Sequence, residues 1–348
     1  MTRATALDAG FTRGQLRAAL DRRLLESPRH GLLRLAPDAV DDSGIDAPLT
    51  ATSGGAKLST ESLSGRTARS DAILSSAERL RTEHLDAVRA AQLVIGSDAM
   101  ASHGSAAIVH RLPATSAGRP QPVELVLPGA PNWAGPGVVV RGSAIPRVSR
   151  VVVDGVPTTD VARTAIDLAR GRHLATALVA LDAASRLLIA QRAHPTTVLR
   201  QAVHDPRRRD DARHKLAESL SSCWGWPGTK VVRAALPLVE PAAESPLESR
   251  SRAWFIEAKL PPLGVGVPIR CAGRQYWADF ADVERRVIGE ADGFTKYGAE
   301  VSEVRDRLLR ERQRQSDLEA DGWRVVRWLS SDAREVVVRR MATALGVE

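Results

Sequence analysis

Cysteine is nearly absent from this chain: 348 residues hold two, Cys223 and Cys271. Two cannot build a disulfide framework, and their unlike surroundings lead us to expect reduced, buried thiols. Lysine is scarce as well, at five of the 49 basic residues, so the positive charge is almost wholly arginine. Coding bias accounts for any single arginine, but the planar guanidinium fork also suits phosphate oxygens. Long hydrophobic runs are lacking too. No apolar run approaches the roughly 20 residues of a membrane span, and the first residues lack a signal-peptide core. A soluble, cytoplasmic chain without a membrane partner is the expectation.

What the chain does contain is 43% hydrophobic and 26% charged residues, enough to build packed cores. That excludes a wholly disordered chain. Its length suggests two or three domains. A net charge of +8 favours polyanionic partners, nucleic acid first.

The pattern divides the chain into five segments. In residues 1–36, Thr12 can cap a helix and Gln15 can reach back to it. Leu16, Ala19, Leu20 and Leu24 then recur at helical spacing. Arg13, Arg17, Arg22, Arg23 and Arg29 lie among and after them, and Leu32, Leu33 and Leu35 could form a wing strand. This reads as a winged-helix segment that lays a helix in the major groove while the arginines hold phosphates. The alternative is a capped surface helix. Residues 37–76 have the small, polar composition of a linker or insertion. Residues 77–201 read as an α+β middle domain, with valine-rich strands near 122–128, 137–141 and 148–153 and an apolar helix near 174–189. Residues 202–242 connect, with Arg207, Arg208 and Arg209 in series. Composition then changes, for six of the seven tryptophans follow residue 220 and no histidine follows 214.

Residues 243–348 carry the candidate chemistry. Ser245-Pro246-Leu247-Glu248 begins a helix as cap, first-turn proline and capping-box acid. Strands are expected near 267–271, 275–281 and 286–291, a long helix over 299–320, a strand over 323–329 and a closing helix over 332–345. Helix, three strands, helix, strand and helix form an α/β layer. Asp279 falls near the end of its second strand. Glu290 and Asp292 fall at the end of the third, two apart and so on one face. Gly289 and Gly293 beside them leave room for a ligand near the backbone. Converging carboxylates repel unless a cation neutralises them, and hard oxygen donors suit Mg2+ or Mn2+. Such a metal activates water and stabilises charge on a phosphate. Lys296 could contact the scissile phosphate, and Glu248 could serve as an outer metal ligand. The plainer reading is a solvated strand end with an Asp-Gly turn.

Glu244-Ser-Pro-Leu-Glu248-Ser-Arg, Tyr276-Trp-Ala-Asp279-Phe, Ile288-Gly-Glu290-Ala-Asp292-Gly-Phe-Thr-Lys296-Tyr-Gly298 and Ala320-Asp-Gly-Trp-Arg-Val-Val-Arg-Trp328 together resemble a restriction-endonuclease-like family. This is an uncharacterised PD-(D/E)xK family, common in actinobacteria and related to very-short-patch-repair endonucleases. The resemblance implies a metal-dependent nuclease with Asp279 and Glu290 at the two acidic positions. Asp292 stands where the motif has lysine, and Lys296 substitutes from a shifted position. Two departures bear on activity. The short-patch-repair relatives use histidine, which this segment lacks, and Arg314-Gln-Ser occupies the place of an Arg-x-Asp pattern. Either the chemistry rests on carboxylates, lysine and metal alone, or the fold persists with little activity.

In the front half, Gly10-Phe-Thr-Arg-Gly-Gln-Leu-Arg, Ala101-Ser-His-Gly-Ser-Ala-Ala-Ile-Val-His110 and Gly155-Val-Pro-Thr-Thr-Asp-Val-Ala-Arg-Thr164 are similar to AbiEi-type antitoxins. That resemblance implies DNA binding and contact with a toxin-like partner protein. The expected fold is therefore α/β and α+β multidomain: a winged helix, an α+β middle domain and a restriction-endonuclease-like α/β domain. The expected function is metal-dependent cleavage of DNA. The alternative is a non-catalytic DNA-binding regulator with a degenerate nuclease fold. His103, Ser105 and His110 suggest no hydrolase, because no carboxylate has suitable spacing. Trp224 and Trp226 are expected to anchor a domain edge rather than stack on bases.

Overall fold

The computed structural model describes residues 17, 20, 25–27, 34–35, 76–96, 98–113, 121–135, 137–171, 173–194, 196–292 and 312–347. The architecture is mixed α/β, with two mixed sheets besides a small antiparallel pair, β1 (Leu25–Glu26) and β2 (Arg34–Leu35). Arg17 is helical and exposed. Arg13, Arg22, Arg23 and Arg29 lie outside the described residues, as do Gly293 and Lys296.

Contacts group the chain into two compact units. The first comprises residues 1–101, 120–144 and 152–157, and the second 102–119, 145–151 and 158–348. The expected connecting segment 202–242 thus falls inside the second unit. In the first, helix α1 (Ser76–Ile95) accompanies strands β3 (Met100–Ala101), β4 (Val123–Val126), β5 (Trp133–Gly135) and β6 (Val138–Arg141). Strands β7 (Arg150–Val153) and β8 (Val156–Thr159) complete a sheet ordered β5-β6-β4-β3-β8-β7. Asp154 and Gly155, at φ +50° and +72°, make the β7–β8 turn of the twisted type that Asp-Gly favours. Arg81 and Arg89 tie α1 to it through the Asp154 carboxylate (2.7 Å) and carbonyl (2.8 Å).

The second unit is mostly helical ahead of its sheet. Its helices are α2 (His103–His110), α3 (Val161–Ala169), α4 (Leu174–Arg192), α5 (Leu199–Ala202), α6 (Pro206–Ser221), α7 (Thr229–Ala235) and α8 (Pro246–Glu257). Asp160 caps α3 by accepting from the Arg163 amide, and Asp205 caps α6 ahead of Pro206. Helix α4 corrects the expectation on apolar runs: it is long and apolar enough to cross a membrane, and half of it is buried within the unit. It packs on α3, α6, α7 and α8, and Leu178, Leu181 and Ala184 on it are wholly buried. One hydrophobic cluster runs from Ala107 through this helix to Leu345.

Strands β9 (Gly264–Cys271), β10 (Arg274–Asp282) and β11 (Val287–Asp292) form an antiparallel meander. After the helix at 312–320, strand β12 (Arg324–Leu329) adds in parallel to β11, giving the order β12-β11-β10-β9. Helix α9 (Arg334–Leu345) closes the chain. On one face Phe255, Phe280 and Trp328 meet with ring centroids 5.5–5.7 Å apart. The Trp328 indole donates to Ser251 Oγ at 2.8 Å, as a buried N–H requires. On the other face, a smaller cluster gathers Ile269, Cys271, Ala278, Ala281, Ile288, Leu318 and Trp323.

Candidate functional site

Regular alternation keeps residues two apart on one face of a strand, and β9 and β10 break this rule together. Val267 and Ala278, paired across the strands, pack with the smaller cluster, whereas Val265 and Phe280, also paired, belong to the larger. Between the two pairs lie Gly266, in the left-handed conformation at φ +62°, and Asp279. The glycine is needed there, since an added Cβ would strain the backbone and crowd Ala242 at 3.3 Å. Pairing of β10 with β11 also stops at Phe280–Gly289, and the Ala291 amide instead donates to Asp279 Oδ2 at 2.8 Å. The strands therefore part at Asp279, and its carboxylate replaces a ladder carbonyl.

This aims Asp279 into a small cavity lined also by Glu248, Glu244, Arg200, His204 and Trp277. Glu248 arrives from the first turn of α8. Ser245 Oγ accepts from the Glu248 amide at 3.2 Å, as the capping box requires, but the carboxylate reaches back one residue further, to the Glu244 amide at 2.7 Å. The cap is thus a structural role, and it also places an acid in the cavity.

Glu290, 5% exposed, is held by Arg314 from the helix at 312–320, whose Nη2 donates to Glu290 Oε1 at 2.5 Å and to the Trp277 carbonyl at 2.9 Å. Arg327, in register with Glu290 on β12, lies 3.7 Å from the Asp292 carboxylate, so Glu290 and Asp292 do share a face.

The Asp279 charge raises the pKa of both neighbouring glutamates. Burial, then the Asp279 charge, pushes Glu248 up to about 7. Burial and the same charge push Glu290 up to about 8 against the opposing arginines 314 and 327. Asp279 is raised as well, chiefly by burial. Acids raised by a neighbouring carboxylate in this way lie near it with too little positive charge to offset the repulsion.

The donor set is all oxygen, suited to Mg2+ or Mn2+. Among the described residues no three His, Cys, Asp or Glu side chains gather closely enough to hold one ion. Asp279 Oδ1 and Glu290 Oε2 make no hydrogen bond among the described residues. Two such carboxylates suit magnesium, which completes its shell with waters and substrate oxygens.

Several sequence expectations need correcting. Gly289 does not leave room for a ligand: a Cβ there would meet Met341 at 2.6 Å and Trp328 at 2.9 Å, so its absence admits the core. A carboxylate does approach His103, for Asp167 Oδ1 lies 4.0 Å from its Nε2, while Ser102 Oγ lies 3.2 Å from Nδ1. His110 is structural. It is buried, contacts the Thr159 carbonyl at 2.7 Å, and has its pKa lowered by burial. Trp226 packs beneath the guanidinium groups of Arg163 and Arg170, whereas Trp224 is 79% exposed. Arg200, Glu244, His204 and Arg314 were missed as site residues. Glu244 and Arg314 had a signal, their places in the motif pattern, and Arg200 and His204 had none. Gly266 within a valine-rich strand was the unused sign of the strand irregularity.

No family model matches this chain, and no solved structure matches it. It is 26% identical over 251 residues to an uncharacterised protein of Mycobacterium tuberculosis, named MT2308 in strain CDC 1551 / Oshkosh. The same figures hold for Rv2248 of strain ATCC 25618 / H37Rv, and the alignment covers 72% of this chain and 81% of each relative.

Proposed function

We propose that this chain acts on DNA and that residues 243–348 are a PD-(D/E)xK-type endonuclease domain hydrolysing a phosphodiester with Mg2+ or Mn2+. The observation that carries this is the group of buried carboxyls near the place where the strands part: Glu248 and Glu290, raised by burial and by the Asp279 charge, and Asp279, raised chiefly by burial. The order α8, β9–β11, the helix at 312–320, β12 and α9 supports it as the layer the resemblance implies. In this reading residues 1–36 are a winged helix, residues 77–201 an antitoxin-like domain, and a toxin-like protein is a candidate partner.

Asp279 and Glu290 would hold the ion, with Asp292 orienting Arg327 beside them and Glu248 outside. When bound, the ion supplies positive charge to the phosphate and a more acidic water. Glu248, with its carboxyl near 7, is placed to take a proton from the attacking water at neutral pH. Arg314 holds Glu290 in place and, with Arg327, draws its raised carboxyl back toward ionisation. Lys296, outside the described residues, would act on the phosphate.

The test is a cleavage panel on duplex, mismatched, single-stranded and branched DNA with Mg2+ or Mn2+. Nicking by the wild type that Asp279→Ala and Glu290→Ala abolish is the expected result. A second reading, a DNA-binding regulator with an inactive nuclease fold, draws on Arg314, a cation already seated on Glu290. Intact DNA binding without cleavage under either ion would favour it.

A further inference from the structure

A DNA phosphate can approach this acidic cavity only if cations offset the carboxylates. Arg314 is engaged with Glu290 and the Trp277 carbonyl, and Arg327 with Asp292. Arg200, from α5, is differently placed. Its Nε and Nη2 grip both oxygens of Glu244 at 2.9 Å each, and its guanidinium lies 5.7 Å from the centre of the Trp277 ring. Glu244 is itself held by Arg186 at 3.0 Å. The grip uses two of five guanidinium N–H donors, and Nη1 makes no hydrogen bond among the described residues. Arg200 lines the cavity together with Glu248 and Asp279, and its side chain is 47% exposed. An exposed ion pair adds little to stability. A guanidinium clamped on one edge and bare on the other is, however, preorganised to bind an oxyanion.

We infer that Arg200 is the residue that receives a DNA phosphate at the carboxylate site, with Glu244 and Trp277 fixing its orientation. The inference rests on reading the cavity as the place where a phosphodiester lies.

The test is anisotropy of a fluorescein-labelled random-sequence duplex with the full chain, across a salt series without divalent ions. Manganese-dependent cleavage of the same duplex is measured beside it. Arg200→Gln is expected to weaken binding roughly tenfold and to lower the salt slope by about 0.9, the value of one phosphate contact. Arg200→Lys, which keeps the charge, should keep the slope. Arg192→Gln, in a separate cavity with Arg207, Arg208 and Lys215, controls for a general loss of charge. An unchanged slope in Arg200→Gln, an equal drop in Arg192→Gln, or no DNA binding by the wild type overturns the inference. So does an equal loss in Arg200→Lys accompanied by a lower urea midpoint, which would mark misfolding. Cleavage unaffected by Arg200→Gln removes Arg200 alone. An Arg200-dependent slope in a wild type that never cleaves removes the nuclease reading and leaves Arg200 as a DNA contact.

Discussion

Two buried acidic centres lie within the second unit, and they are built on opposite terms. Asp182, wholly buried on apolar α4, is gripped by Arg252 at 3.0 and 2.9 Å and accepts the Glu240 amide at 2.8 Å. After burial, the largest influence on its carboxyl is that arginine, which holds the value to about 6. Glu248 and Glu290 are also buried, but the largest influence after burial is another carboxylate, Asp279. A buried acid with fixed cationic and amide partners is a fastening. Buried acids facing one another form a site that a cation or a proton would relax.

Removing the fastening should have the largest effect. Asp182→Ala strands Arg252 and the Glu240 amide, and urea denaturation should show a loss of about 3–5 kcal/mol. Asp279→Asn, which relieves repulsion, should stay within about 1 kcal/mol of wild type at pH 8. Equal losses would erase the distinction between the two centres.

The pH dependence sharpens it. The folded values of Glu248 and Glu290, about 7 and about 8, lie above the ordinary 4.5, so the fold favours their protonated forms. Their contribution is fully present at low pH and is lost as pH rises through those values. Asp182 shares this sign only up to about pH 6. Unfolding free energy should therefore fall by on the order of 2 kcal/mol between pH 6 and 8. Glu290→Gln should flatten this decline, and Asp182→Asn should not. If the proposed ion binds, manganese at about a hundredfold over its Kd should return about 2.7 kcal/mol at pH 8, and nothing in Asp279→Ala. A flat wild-type profile would contradict the crowding of the acids.

Gly289→Ala, beside Glu290 but directed at Trp328, should cost about 1–3 kcal/mol by overpacking while leaving DNA affinity alone. The smallest expected effect lies far from both centres. Neutralising Arg13 and Arg17 together should make the salt dependence of DNA binding shallower by about one to two contacts, with urea stability unchanged. An unchanged slope would sever residues 1–36 from DNA binding.

The start of α8 was legible because Ser245, Pro246 and Glu248 are local signals whose partners lie within one turn. Strands β9 to β12 were legible within a few residues as short runs between turn signals. The acids at 279, 290 and 292 could be singled out by type and spacing. Their surroundings could not. Arg200 stands far from Asp279 in the chain and carries no motif, and Arg252 meets Asp182 across seventy residues. Gly289 was misjudged because glycine's missing side chain can admit either a ligand or a tryptophan.

What the sequence by itself determined is therefore the order of the elements, their caps and the presence of acids near strand ends. These follow from interactions between neighbours along the chain. Tertiary structure alone decided that β9 and β10 change face at Gly266 and Asp279, that Glu248 joins Asp279, and which arginines answer which acids. Electrostatics and packing act through space and grow strong only where burial has removed water, a condition that no local pattern encodes.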